Sequence, residues 1–322
     1  MTSSVSISDI QKAAVRIGPY VHRTPVLTCS SINRLVDAEV FLKCENFQKT
    51  GAFKFRGACN AVFSLSESQA ARGVVTSSSG NHAQAVALAA RLRGIKAFVA
   101  MPETAPRVKK VAVAGYGAKI YFCEWTMEAL DATAARVAEE TGAVFVEPFN
   151  APETIAGQGT AALELLQDVA NLDVVMAPVG GGGLLAGTAI AVSGFSPATR
   201  VVGAEPATAD DACQSLKEGR IVPARPPKTI ADGLRTSLGD LTFAVIRSHV
   251  GQIVTASEEA IVAAMRYVWE RAKIIIEPSA AVPIASLLEK RQEVLGQRIG
   301  IILSGGNVDL DCLPWAIGSA HE

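Results

Sequence analysis

Apolar positions along the chain fall into two rhythms. Ile10, Ala13, Ala14 and Ile17 recur three to four apart behind Ser6 and Ser8, which predicts a capped first helix with one face on a core. Short β-branched runs then alternate with longer segments of helical period. Strands are predicted at 26–27, 40–42, 74–76, 97–100, 120–122 and 144–146, with helices over 81–93, 107–116 and 127–141 between the later strands. A second series has strands over 174–179, 200–204, 252–255 and 298–303 and helices over 157–170, 184–193, 257–271 and 279–289. Strand, helix and strand in repetition builds an open parallel sheet covered on both faces, so the fold class is α/β. Pro148, Asn150 and Pro152 break the rhythm and place a boundary near residue 150. The window from Val174 to Val192 has no charge and is long enough to cross a bilayer. Pro178 and Gly180 to Gly183 in its middle make it a buried strand, a turn and a buried helix instead.

Composition narrows the function classes. At 322 residues the chain has room for two domains and a sizeable core. An apolar content of 49% excludes a disordered or fibrous chain. The 30 basic and 31 acidic residues leave a formal net charge of −1, and the densest basic cluster is Arg107-Val108-Lys109-Lys110, so nucleic acid is not an expected partner. Cys29, Cys44, Cys59, Cys123, Cys213 and Cys312 include no C-x-x-C pair, which predicts free thiols in a reducing compartment and no zinc site. Met1 to Ser6 lacks the basic and apolar regions of a secretory signal, so a cytoplasmic location with no membrane partner is expected.

Four stretches carry candidate chemistry. In Ala52-Phe53-Lys54-Phe55 a lysine stands between two aromatic residues. An amine kept from water there loses the hydration that favours its charged form, and becomes a nucleophile able to condense with a carbonyl. Taken alone, Lys54 could equally lay its stem on apolar neighbours and keep its head in water. Gly180-Gly181-Gly182-Gly183, at the end of the strand over 174–179, runs into the helix opening with Leu184, and consecutive glycines before a helix turn N–H groups toward an anion. Leu184 and Leu185 exclude a Walker loop. Gly181-x-Gly183-x-x-Ala186 with Glu205 approximates a dinucleotide fingerprint and keeps an NAD-linked oxidoreductase as an alternative. Ser77-Ser78-Ser79-Gly80-Asn81-His82 precedes another helix and reads either as a cap or as a carboxylate site. Glu205 and Asp211 flank a turn that reads either as solvated surface or as a divalent-ion site.

Ala52-Phe53-Lys54-Phe55-Arg56-Gly57, Ser78-Ser79-Gly80-Asn81-His82, Gly180 to Gly183 and Ser304-Gly305-Gly306-Asn307 together resemble the pyridoxal-phosphate serine/threonine dehydratase and serine racemase family of fold type II. His22-Arg23-Thr24-Pro25, Gly157-Gln158-Gly159-Thr160 and Ile230-Ala231-Asp232-Gly233 extend the resemblance over nearly the whole chain. It implies two open twisted parallel-sheet domains with the cofactor in the cleft between them. The large domain would comprise 1–68 and 151–322, and the small mobile one 69–150. Pyridoxal 5'-phosphate would sit on Lys54 beside Phe53, with its phosphate at Gly180 to Gly183 and Leu184, its phenolic oxygen on Asn81 and its ring nitrogen on Ser304. A neutral serine hydroxyl cannot hold a proton on that nitrogen, which favours elimination over transamination. Ser78, Ser79, Asn81, His82 and Thr236 would bind substrate, and Glu205, the Ala209 carbonyl and Asp211 would bind Mg²⁺ (or Ca²⁺ or Mn²⁺). A homodimer acting on a small amino acid is implied.

The expected activity is dehydration of a 3-hydroxy amino acid (serine, threonine, 3-hydroxyaspartate or a related L-substrate) to a 2-oxo acid and ammonia. Serine racemisation with side dehydratase activity is the alternative. Ser79 matches the racemases, where a hydroxyl faces the substrate opposite the lysine. Leu130 and Phe149 stand where animal serine racemases carry arginine and asparagine, which makes the pocket less polar and favours dehydration of a 3-hydroxy amino acid over serine racemisation, with an apolar β-substituent among the options.

Overall fold

The computed structural model describes residues 5–78, 80–105, 107–225, 228–289 and 297–315. Its strands are β1 (Val26–Thr28), β2 (Glu39–Cys44), β3 (Val74–Ser77), β4 (Ala97–Pro102), β5 (Lys119–Cys123), β6 (Val144–Phe145), β7 (Val174–Pro178), β8 (Arg200–Pro206), β9 (Gln252–Ala256) and β10 (Arg298–Leu303). They form a six-stranded sheet in the order β1-β2-β10-β7-β8-β9 and a four-stranded sheet in the order β5-β4-β3-β6. Neighbours pair in parallel throughout, except that β1 runs antiparallel to β2 at the edge. Helices cover both faces of the large sheet, so β7 is buried along its whole length. Its side chains divide by the two-residue period: Val175 and Ala177 enter one core, Val174 and Met176 the other. A third core lies against the small sheet around Phe55, Val74, Val86 and Met101. Among the described residues no helix is long and apolar enough to cross a membrane, and all six cysteines are free thiols.

Sequence periodicity misses the helices Ser30–Val36, Lys54–Ser64, Glu67–Ala70, Asp211–Glu218 and Asp240–His249. The second has no polar face to give a helical signal, because Phe55, Arg56, Gly57, Ala58, Cys59 and Asn60 are all buried. The helix predicted over 157–170 spans Pro152–Asp168, with the proline in the first turn, where its missing N–H costs nothing.

Two devices fix the Lys54–Ser64 helix on the large sheet. It lies against Pro152–Asp168 so closely that a Cβ on Gly157 would stand 2.6 Å from the Gly57 Cα. Beside this contact lies a buried ionic cluster. Arg56 Nε donates to Glu45 Oε2 (2.7 Å), its Nη1 to Glu164 Oε1 (2.7 Å), and Lys43 Nζ reaches Glu164 Oε2 (2.6 Å). Two cations and two carboxylates balance, and Thr24 Oγ1 donates a further bond to Glu45 (2.5 Å). Removing one member of such a group strands a charge away from water.

Candidate active site

The end of β10 and the start of the Lys54 helix are stitched together. The Phe53 N–H donates to the Ser304 carbonyl (2.9 Å), and Ala52 bridges Gly305. Lys54 and Ser304 therefore face one cavity, of about 1160 Å³, between the two sheets. Lys54 Nζ donates to the Pro148 carbonyl (2.7 Å), and its distance from the Phe53 ring centre is 5.4 Å. Among the described residues no carboxylate pairs with it. Burial pushes the Lys54 amine down to about 8. The second flanking ring plays no part in this. Phe55, the next residue in the helix and so turned by about 100°, is fully buried in the core against the small sheet.

The glycine turn follows β7 and lines the cavity from Gly180 through Leu184. Gly182, at φ +86°, caps the buried helix Gly183–Phe195, and no side chain bonds that helix end, so its first N–H groups are left for an anion. Thr242 Oγ1 holds the turn from behind by donating to the Gly181 carbonyl (2.8 Å). Thr236 lines the same part of the cavity.

The opposite wall comes from the small sheet. Ser78, Asn81 and His82 line the cavity at the start of helix Asn81–Arg93. Ser79 lies outside the described residues. His82 Nε2 lies 3.1 Å from the Val146 carbonyl, which can only accept, so Nε2 carries the hydrogen. Burial, and then the charge of Lys54, push His82 down to about 3, so it is neutral at physiological pH.

Asn81 sits in a network that sequence patterns did not reveal. Its Nδ2 donates to both carboxylate oxygens of Glu277 (3.0 and 3.2 Å), and its Oδ1 accepts from Asn307 Nδ2 (2.9 Å). Asn307 also donates from Nδ2 to the Thr50 carbonyl (2.7 Å) and from its backbone to Glu277. The amide of Asn81 is thereby fixed in one orientation. Burial, with Asp232 next in weight, pushes Glu277 up to about 7. Its signal in the chain is slight: one acid closing the apolar run Ile274-Ile275-Ile276 before Pro278. At the cavity mouth Lys109 donates to Asp232 (2.8 Å) across the cleft.

Glu205 and Asp211 lie away from this cavity, and both are buried. The two oxygens of Glu205 accept the backbone N–H groups of Ala212 (3.0 Å) and Cys213 (2.8 Å) at the start of helix Asp211–Glu218. Asp211 Oδ2 is buried without a partner, and Ala209 is buried beside them. Burial pushes Glu205 up to about 8 and Asp211 up to about 6, the first also through Asp211 and the second through Asp210. These are two buried carboxylates, one with a partnerless oxygen, of the donor type a hard divalent ion takes; among the described residues no group of three or more His, Cys, Asp and Glu side chains gathers at one point.

The remaining wall carries Leu130, Asp131 and Glu147, while Phe149 lines the cavity from the glycine turn, where a Cβ on Gly181 would stand 2.4 Å from its ring. Leu130 and Asp131 lie on helix Met127–Thr141; Glu147 and Phe149 flank the Pro148 that receives Lys54.

Comparison with known proteins agrees with this geometry. The chain is 51% identical over 307 residues to the beta-hydroxyaspartate dehydratase of Paracoccus denitrificans, covering 95% of this chain and 98% of that one. It is 47% identical over 317 residues to the serine racemase of Dictyostelium discoideum, covering 97% of each. The structure of maize serine racemase superposes with a TM-score of 0.94 at 46% identity, covering 98% of this chain and 97% of that one. The NAD-linked alternative falls with these findings, since Glu205 is bound to a helix start and is not among the residues lining the glycine-loop cavity. A sequence profile described as "Pyridoxal-phosphate dependent enzyme" matches residues 17–305, through both sheets and past Ser304, and the chain belongs to that family.

Proposed function

We propose that this enzyme dehydrates L-3-hydroxy amino acids to 2-oxo acids and ammonia. The observation that carries the reading is the amine of Lys54, low in pKa and without a carboxylate partner among the described residues, facing one cavity with an uncapped helix start and Ser304. These residues fit pyridoxal phosphate. Lys54 would hold its aldehyde carbon, Gly180 to Leu184 its phosphate, Asn81 its ring oxygen and Ser304 its ring nitrogen. When bound, the cofactor supplies a sink for the electrons of the Cα–H bond.

The chain supplies the rest. Lys54 Nζ would take the Cα proton of the bound substrate. Ser78, Asn81 and the start of helix Asn81–Arg93 receive the α-carboxylate, with neutral His82 beneath them. Ser304 offers no charge to keep the ring nitrogen protonated, which favours fast loss of the β-hydroxyl. The Cα proton and the β-hydroxyl are lost together as one water, and one water is taken up when the released unsaturated amine hydrolyses to oxo acid and ammonia. The experiment is oxo-acid and ammonia release by the purified holoenzyme from serine, threonine, 3-hydroxyaspartate and 3-phenylserine. Release from none of them would end this reading.

Serine racemisation is a second reading, favoured by the 47% identity to a named racemase and by Ser79. It requires a proton donor on the substrate face opposite Lys54, the role assigned to Ser79. We also assign Mg²⁺ or a similar ion to Glu205, the Ala209 carbonyl and Asp211, in a structural role. The partnerless Asp211 Oδ2 supports this, and Asp211→Asn should lower the melting temperature and abolish its rise on adding Mg²⁺. The resemblance supports a cytoplasmic homodimer in which 69–150 moves on the rest of the chain, with the Lys109–Asp232 pair meeting across the cleft.

A further inference from the structure

The wall of the cavity opposite the glycine turn has an unusual make-up. Trp125 (58% exposed), Met127 (61%) and Phe145 (37%) are large apolar side chains open to solvent, and all three line this cavity. Leu130 joins them, and Phe149 faces them from the glycine turn, where a Cβ on Gly181 would stand 2.4 Å from its ring. Apolar surface left open inside a concave site marks the place of an apolar ligand group.

The polar groups of the same wall have the wrong sign for an acidic substrate. Asp131 Oδ1 accepts from Ser77 Oγ (3.2 Å). Burial, and then the charge of Asp131, push Glu147 up from its ordinary value, so this wall disfavours negative charge even on its own carboxyl group. The cations of the cavity are engaged or lie at its rim. Lys54 serves the cofactor and Lys109 is paired with Asp232, while Arg235, exposed at the rim, is turned to the Thr229 carbonyl (2.5 and 3.2 Å). Lys228 is an exposed residue in the segment leading to Asp232.

Resting on the dehydratase reading, we infer that the substrate carries a bulky, uncharged apolar group on its β-carbon, of which an aryl ring is the type, seated between Leu130, Phe149 and the Trp125–Met127 rim. A 3-aryl-3-hydroxy amino acid loses its α-hydrogen and β-hydroxyl as water; hydrolysis of the resulting enamine then gives a 3-aryl-2-oxo acid and ammonia. Serine would leave the apolar wall in contact with water, and 3-hydroxyaspartate would bring a second carboxylate to Asp131 and Glu147.

Two measurements on the holoenzyme test this. The first compares kcat/KM for oxo-acid release from serine, threonine, 3-hydroxyaspartate and 3-phenylserine. Phenylserine should exceed serine by at least the roughly 10–200-fold that one methylene in a hydrophobic pocket confers, mainly through KM, and 3-hydroxyaspartate should fall below threonine. Preference for serine or 3-hydroxyaspartate overturns the inference while the dehydratase reading stands; no oxo acid from any substrate removes that reading itself. The second measurement is independent of turnover and uses amino acids that have no β-hydroxyl. By change in cofactor absorbance, L-phenylalanine should bind at least tenfold tighter than L-alanine, and L-aspartate more weakly than L-alanine. Tighter binding of aspartate than of phenylalanine contradicts the inference. Leu130→Arg should reverse the order, and Trp125→Ala should erase the advantage of phenylalanine; an unchanged order in both variants would also overturn it.

Discussion

The two walls of the cavity are built on opposite principles. The floor, on the six-stranded sheet, is held by the β10 stitch to Phe53, by the contact of Gly157 with Gly57 and by a buried ionic cluster under Arg56. The wall on the small sheet is open, with apolar side chains facing solvent and two carboxylates near one another. Chemistry needs the first, because Lys54 must stay in register with the glycine turn and Ser304. Choice of substrate needs only the second.

Breaking the floor should have the largest effects. Lys54→Ala should reduce oxo-acid release by ~10²–10⁴-fold or more, the range for an essential acid-base group, and should leave no cofactor attached to the peptide after borohydride reduction. Removing Arg56, as in Arg56→Leu, leaves buried Glu45 without its cation, while Glu164 keeps only Lys43, and should cost about 3–5 kcal/mol of stability, read from urea unfolding. A loss of activity in this variant with an unchanged unfolding midpoint would show that the cluster acts on Lys54 rather than on the fold.

Changes on the other wall should be smaller and selective. Ser79→Ala should abolish any racemisation and any reaction of D-substrates, and weaken L-dehydration only severalfold, because Lys54 serves one face of the substrate and elimination needs no donor on the other. Chiral chromatography beside an oxo-acid assay separates the two routes. Loss of L-dehydration as deep as in Lys54→Ala would place Ser79 in the elimination step.

The same contrast explains what the chain made legible. Lys54, Gly180 to Gly183, Asn81 and Ser304 stand in short contiguous motifs whose chemistry is local, and the cavity brings all of them together. The strands could be read from their uninterrupted apolar runs. The Arg56 cluster could not, since its members lie at 43, 45, 56 and 164 and meet only through the fold. Burial on every side also hid the helix that carries Lys54, and with it the fact that Phe55 points into a core. Glu277 gave no motif because its partners Asn81 and Asn307 are remote in sequence. Leu130 and Phe149 are legible as departures from the family pattern, whereas Asp131 and Glu147 acquire a meaning only from lining the same cavity.

The central claim is that burial prepares Lys54 as the nucleophile that takes the cofactor. It is tested most directly by mixing cofactor-free protein with pyridoxal phosphate over a range of pH, reducing with borohydride and mapping the modified peptide by mass. Only the neutral amine attacks, so attachment should occur at Lys54 with a rate that rises through about pH 8. Attachment at Lys49 or Lys109 instead, or a rate that rises only near the ordinary lysine value of 10.5, would contradict the account.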